Sequence, residues 1–178
     1  MRLPPPGRDR SSRHADLTHA VRAGEADTEA SRAWRTKTMA ALNWERQQTD
    51  TMGAFPRLGW NDGRGQNFLF TERDWSVSGG LSFDGGRWGR LEDTFGLAAS
   101  IGGLQAPQRR FLAAGGSGFV LGDGRLNHAP EAVAEACYDV TLVPGLHAAL
   151  DLRPGADPRF NAARGPVPVG TLRLRAAC

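Results

Sequence analysis

From Trp34 onward, apolar and polar residues alternate with a period of two, the mark of strands whose two faces meet different surroundings. In KTMAALNWERQQ, Ala40, Leu42 and Trp44 alternate with Asn43, Glu45 and Gln47. In RLGWNDGRGQNFLFTERDWSVSGGL and its continuation, Trp75, Val77, Leu81 and Phe83 share one side; Glu72, Asp74, Ser76, Ser78 and Ser82 share the other. Phe95, Leu97, Ala99 and Ile101 oppose Thr94, Gly96, Ala98 and Ser100. Ala134, Ala136, Tyr138, Val140 and Leu142 oppose Glu135, Cys137, Asp139 and Thr141. Leu146, Ala148, Leu150 and Leu152 oppose His147, Ala149 and Asp151, and finally Leu172, Leu174 and Ala176 oppose Thr171, Arg173 and Arg175. The pattern predicts about seven strands.

The connections alternate short and long. QTDTM, the turn-rich DGGRWGRLED and VPG are short; NDGRGQ, LQAPQRRFLAAGGSGFVLGDGRLNHAP and RPGADPRFNAARGP are long. A soluble sandwich has no reason for that regularity, whereas a transmembrane antiparallel β-barrel has short periplasmic turns, long external loops and strands of about ten residues, apolar outward and polar inward. On that architecture Glu72 and Asp74 are tolerated within a strand because their face looks into an aqueous pore. Arg73 points the other way, toward the outer rim, where a long cationic side chain snorkels to headgroups.

Residues 1–33 break this pattern. They are polar, open on a Pro run and carry a thin apolar stripe, so they read as a loop or loosely attached tail. His14 and His19, five apart, read as solvated side chains, off the helical spacing of a metal pair. The division is therefore 1–33, a polar tail or external-loop remnant, and 34–178, the barrel portion.

Composition removes several classes. Hydrophobic residues make up 40% of the 178, and Gly is over-used at 23. The net charge of +3 comes almost entirely from scattered Arg, with Lys37 the single lysine; a nucleic-acid binder concentrates its cations on one face. No window reaches the roughly 18–20 apolar residues of a transmembrane helix. The N-terminus lacks an apolar h-region, so an export signal is expected to be absent from this chain. Cys137 and Cys178 are far apart and match no metal spacing. FLAAGGSGFVLGDGRLN lacks the Gly-Lys-Ser/Thr ending of a P-loop, and GDGR has too few carboxylates for a calcium loop. No cofactor, metal or catalytic residue is assigned.

LNWERQQTDTMGAFPRLGWNDGR, followed by FTERDWSVSGGLSF, GRWGRLEDTFGLA, FLAAGGSGFVLGDGRLN, PEAVAEACYDVTL and ADPRFNAARGPV, resembles the carbohydrate-selective porins of Gram-negative outer membranes, the OprB-type family, over residues 35–178. The resemblance implies the C-terminal part, about seven strands, of a sixteen-stranded barrel that passes sugars by facilitated diffusion. Its implied partners are monosaccharides or small sugars, outer-membrane lipid, the barrel-assembly machinery and a second copy of the chain. Two departures stand out: Cys178 occupies the place of the family's terminal aromatic residue, and Pro56 falls inside a strand, where it lacks an N–H for the ladder. The N-terminal half of such a barrel is expected to lie outside this sequence.

A pore needs no catalyst, only polar groups that replace part of a sugar's hydration, with selectivity set by width and lining charge. Alternation nominates Asn43, Glu45, Arg57, Glu72, Asp74, Glu135, Asp139, Asp151, Arg173 and Arg175 as lumen residues, with acids and arginines facing one another across the constriction. Trp60, beside Asn61 and Asp62, is the aromatic assigned to sugar contact, with an interfacial anchor as its other reading. Trp44, Trp75 and Tyr138 read as lipid-facing girdle residues, with Trp88 a further interfacial anchor. Two alternatives stay open: a soluble all-β carbohydrate- or ligand-binding module, and an enzyme using Glu72/Asp74 or Glu135/Asp139 as a carboxylate pair.

Overall fold

The computed structural model describes residues 8–23, 33–65, 72–122 and 124–176. Its main element is an antiparallel sheet whose strands follow chain order: β3 (Met39–Asn43), β4 (Arg46–Thr49), β5 (Met52–Asn61), β6 (Trp75–Asp84), β7 (Thr94–Gly103), β8 (Glu131–Val143), β9 (Leu146–Ala156) and β10 (Val167–Ala176). A separate two-stranded ribbon joins β1 (Arg8–Ser11) to β2 (Ala33–Thr36). The described residues also form helices α1 (His14–Ala23) and α2 (Ala106–Ala113) and two 3-10 turns, Gly85–Trp88 and Pro158–Phe160.

β3 and β4 share one position against β5: Asn43 faces Arg57 and Arg46 faces Ala54 in unbroken register. The gap between them lies opposite Pro56. Trp44 donates its N–H to the Pro56 carbonyl at 3.1 Å, but proline has no N–H to return, so the reciprocal bond fails. Eight strands thus occupy seven positions, and Pro56 is accommodated where its missing donor faces the edge.

Register turns the alternation into two continuous faces. One row runs Met52–Phe83–Phe95–Tyr138–Leu150–Leu172, another Leu42–Leu58–Val77–Ile101–Ala132. The opposite face carries Asn43–Arg57–Ser78–Ser100 and Ser82–Gly96–Cys137–Asp151–Thr171. On the apolar face Leu150 is 51% and Leu172 72% exposed. A soluble sandwich would cover these residues with a second sheet; among the described residues nothing does.

The buried core lies elsewhere. Leu17, Leu104, Phe111, Leu112, Leu121 and Phe160 form one cluster, joined by Val21 and Leu126. All come from α1, α2 and the long connections, which gather at one end of the sheet into a cap. Among the described residues, the other end carries the turn at 50–51, the link at 85–93 and the turn at 144–145.

The cap corrects the expectation for the N-terminal segment. Its thin stripe, Leu17 and Val21 at helical i, i+4 spacing, suffices for α1 because α2 supplies the opposing apolar surface. His14, expected in solvent, is buried: its ring stacks on Phe111 at 5.6 Å, and Nδ1 donates to the Gly63 carbonyl at 2.8 Å. Burial is the main influence on its acidity and holds it below the ordinary histidine value, hence neutral. His19 is exposed, as expected.

Candidate pore lining and its loop cap

The polar face is built on small residues. Ser76, Ser78, Gly80 and Ser82 of β6 lie beside Gly96, Ala98, Ser100 and Gly102 of β7, leaving a low floor from which longer side chains of the flanking strands rise. On one flank Asn43, Glu45 and Arg57 are exposed, and the Arg57 guanidinium sits 4.8 Å over the Phe55 ring. On the other flank charges pair between neighbouring strands, Glu135 with Arg153 at 2.8 Å and Asp151 with Arg173 at 3.7 Å, and the Asp139 carboxylate lies 3.4 Å from the His147 ring. Arg175 is registered opposite His147. These acids are partnered on their own flank, so the expected arrangement of acids facing arginines across a constriction is replaced there by a ladder of local pairs. Arg153 and Arg173 stay exposed while Asp151 is buried beneath its partner; what these pairs shape is the field along the wall.

Glu72 and Asp74 lie on the expected side but do not look into open water. Glu72 is buried: its Oε1 accepts the Phe119 amide at 2.8 Å, and its Oε2 accepts those of Val120 and Leu121 at 3.0 and 2.8 Å. A Cβ on Gly118 would lie 1.9 Å from Glu72 Oε1, so only glycine lets the loop close on the carboxylate. Asp74 is 1% exposed and accepts the Gln105 amide at 2.7 Å on Oδ2. Burial, the dominant influence, raises Asp74 above the ordinary carboxylate range, and the Gln105 hydrogen bond only partly opposes it. Alternation identifies the side of a strand but not what the loops lay over it. Both carboxylates hold loop backbone, which removes them as an acid–base pair.

Arg73 also departs from expectation. Its guanidinium turns inward, donating to Glu131 at 2.7 Å and to Ser100 at 3.4 Å, with Phe160 beneath it at 5.7 Å. Residue 73 precedes β6, so strand alternation does not govern it, and a carboxylate within reach outcompetes the headgroups. Trp60 is registered directly opposite Trp75, on the apolar face with Leu58 and Ala40. Its assignment to sugar contact is therefore withdrawn in favour of the anchor reading.

The aromatic residues of that face mark two levels. Trp60 and Trp75 lie near the cap; Phe83, Phe95, Tyr138 and Trp88 lie toward the short turns. Trp75 and Phe83 are eight residues apart on one strand, roughly 26 Å, or roughly 20 Å of height at a tilt of about 40°. An outer-membrane barrel has an apolar band of about 25 Å flanked by aromatic girdles. At the lower level Trp88 donates its indole N–H to Tyr138 at 3.0 Å, and Tyr138 donates to Asp93 at 2.6 Å. Asp93 also accepts the Thr141 amide and pairs with Arg90. Arg90 first, then the Tyr138 hydroxyl and the Thr141 amide, outweigh the opposing effect of burial and hold Asp93 down to about 2.

Sequence reasoning passed over four residues of the polar face. Arg153 lies two past Asp151 and Glu131 four before Glu135, on the same faces, and extending the strands by one and by two steps of the alternation would have found them. His147 was placed on the right face but not nominated. Phe55 shares its face with Arg57 and was missed because an apolar residue does not announce a wet surface.

A wall of sequential antiparallel strands, with one exposed apolar face girdled by aromatics, one charged face over Ser and Gly, and long loops folded over one end, defines the class: a β-barrel pore wall. The chain belongs to the carbohydrate-selective porin, OprB family, whose sequence profile matches residues 8–176 and so reaches back across α1. Among solved structures, that of Pseudomonas putida OprB at high pH is similar in fold, with a TM-score of 0.67 at 15% identity. The likeness covers 94% of this chain and 41% of that one, so the chain spans about two fifths of that porin's length. No curated protein matches.

Proposed function

We propose that this chain forms the C-terminal part of the wall of a carbohydrate-conducting pore in a Gram-negative outer membrane. Sugars pass by facilitated diffusion along the polar face, and the cap formed by α1, α2 and the long connections lies at the external mouth. The observation that carries this reading is the exposure of large apolar side chains along that face, Leu42, Leu58, Val77, Ile101, Leu150 and Leu172 among them, while the buried core sits in the cap. That distribution is costly in water and appropriate in lipid, where closed barrels present this surface. It also favours the pore over the soluble binding module.

On this reading the lining comprises Asn43, Glu45, Arg57, Glu135, Asp139, Asp151, Arg173 and Arg175, extended by Arg153, His147 and Phe55. Outer-membrane lipid contacts the opposite face, and assembly engages the barrel-assembly machinery. Liposome swelling in isotonic glucose tests the proposal. Swelling that exceeds protein-free controls and declines with sugar size supports a pore; a chain that folds in detergent, inserts and gives no swelling with any sugar contradicts it.

A further inference from the structure

The cap is closed by backbone clips, and a histidine sits in each of two of them. His14 opens α1. Its amide donates to the Arg64 carbonyl at 2.9 Å, its Nδ1 to the Gly63 carbonyl at 2.8 Å, and its ring stacks on Phe111. One residue therefore ties α1 to the β5–β6 connection and to α2. His128, in the β7–β8 connection, forms an antiparallel bridge with Asn161 of the β9–β10 connection. Around it the Ala129 amide donates to the Phe160 carbonyl at 3.1 Å, and the Ala162 amide to the Asn127 carbonyl at 2.7 Å. Together the two clips join α1 and the long connections into one body over the end of the sheet. The strands themselves hold no buried histidine among the described residues.

Both clips suit a neutral ring. His14 is buried and spends its Nδ1 proton on Gly63; a second proton would sit on Nε2, for which the described residues offer no acceptor. Nε2 of His128 is closed to water and has no partner. A bare ring nitrogen there leaves a weak acceptor unmet, whereas a charged N–H would be an unmet buried donor, which is far more costly. Each ring also has a cation in its neighbourhood, Lys37 for His14 and Arg109 of α2 for His128. Glu72 is the acid near His14, and both its oxygens already hold loop amides. Burial, the largest influence on both, holds both rings below the ordinary histidine value. Once the cap opens, each ring returns to about 6.5. The clips are therefore at full strength above about pH 6.5 and weaken as pH falls below it. Asp74, raised by its burial, runs the other way: acid relieves its charge and tightens its contact, so it cannot be the source of an acid loosening.

We propose that the cap is an acid-released lid, held closed at neutral pH by uncharged His14 and His128 and freed when they take up protons. The consequence for transport rests on the pore reading: release clears the external mouth and raises conductance.

The test is hydrogen exchange of the detergent-folded chain at pH 7.5 and pH 5, corrected for the intrinsic pH dependence of exchange, with conductance in planar bilayers at the same two values. Protection at residues 17–22, 129 and 162 should fall about tenfold or more in acid, with a ceiling of roughly 30-fold for each histidine, while amides of β6 and β7 keep theirs. His14→Phe preserves an aromatic ring against Phe111 but cannot charge, and neither can His128→Leu. Each should shrink the response, and the double variant should lose it. Wild-type conductance should rise in acid relative to the double variant, which keeps His147 and the lining acids and so carries any change that they cause. Cap protection independent of pH, an equal loss across β6 and β7, or a double variant responding like the wild type overturns the lid. If the double variant fails to protect β6 and β7 at pH 7.5, the wild-type profile alone decides by the same criteria. Cap loosening with no conductance difference from the double variant, in a chain that conducts, also overturns it. Loosening confined to the cap in a chain that conducts at neither pH upholds acid release and overturns the pore reading.

Discussion

Glu72→Gln isolates the clasp between the sheet and its cap. In the native chain one buried carboxylate accepts three consecutive backbone amides, from Phe119, Val120 and Leu121. Hydrogen bonds to a charged group contribute about 1.5–3 kcal/mol each, neutral ones about 1 kcal/mol. Glutamine is nearly isosteric. Its carbonyl in place of Oε2 keeps the Val120 and Leu121 bonds at neutral strength, while its NH₂ opposes the Phe119 N–H. The local clasp should weaken by about 2.5 kcal/mol or more, roughly 70-fold or more in the opening equilibrium. Hydrogen exchange of the folded protein in detergent reads this directly, because local opening is measured amide by amide. Protection at residues 119–121 should fall by that factor, while amides of β6 and β7 keep theirs. Unchanged protection at 119–121, or an equal loss across β6 and β7, would refute the clasp.

Three further outcomes follow from neighbouring geometry. Gly80→Val should destabilise by about 1–3 kcal/mol, since a Cβ there would lie 2.5 Å from the Phe55 ring and 2.8 Å from the Leu97 carbonyl; urea unfolding in detergent measures it. Asp93, held down to about 2 by Arg90, Tyr138 and Thr141, lies below its unfolded value of about 3.9. Its contribution is therefore full above about pH 4 and is lost as pH falls through about 2. The wild-type urea midpoint should drop across that window, whereas Asp93→Asn should start lower at pH 6 and show a flatter acid limb. Arg153→Glu replaces the cationic partner of Glu135 with a second acid, and the reversal potential in a salt gradient should move toward cation preference.

The strands were legible because alternation is local: each residue's face is decided by its neighbours one and two positions away. The turn lengths added the end-to-end asymmetry, and together they specified the sheet and its two faces. The cap was not legible. Leu17, Leu104, Phe111, Leu121 and Phe160 come from widely separated segments and form a core only after the sheet brings the connections together. The two readings of Trp60 stayed open for a related reason, since its face became clear only from its register with Trp75. Glu72 and Asp74 were placed on the correct side, but three loop amides at 119–121 and the amide of Gln105 decide their environment. Arg73 precedes its strand and answers to Glu131 rather than to the pleat.

The most direct measurement compares Val77→Cys with Ser78→Cys, adjacent residues on opposite faces of β6, each made with Cys137 and Cys178 replaced by Ser. The proteins are reconstituted into bilayers and spin-labelled. At Val77 the label should be relaxed strongly by oxygen and weakly by a water-soluble nickel chelate; at Ser78 the order should reverse. Equal accessibility at both positions, or a Val77 label shielded from both quenchers by packed protein, would contradict the assignment of one face to lipid and the other to water.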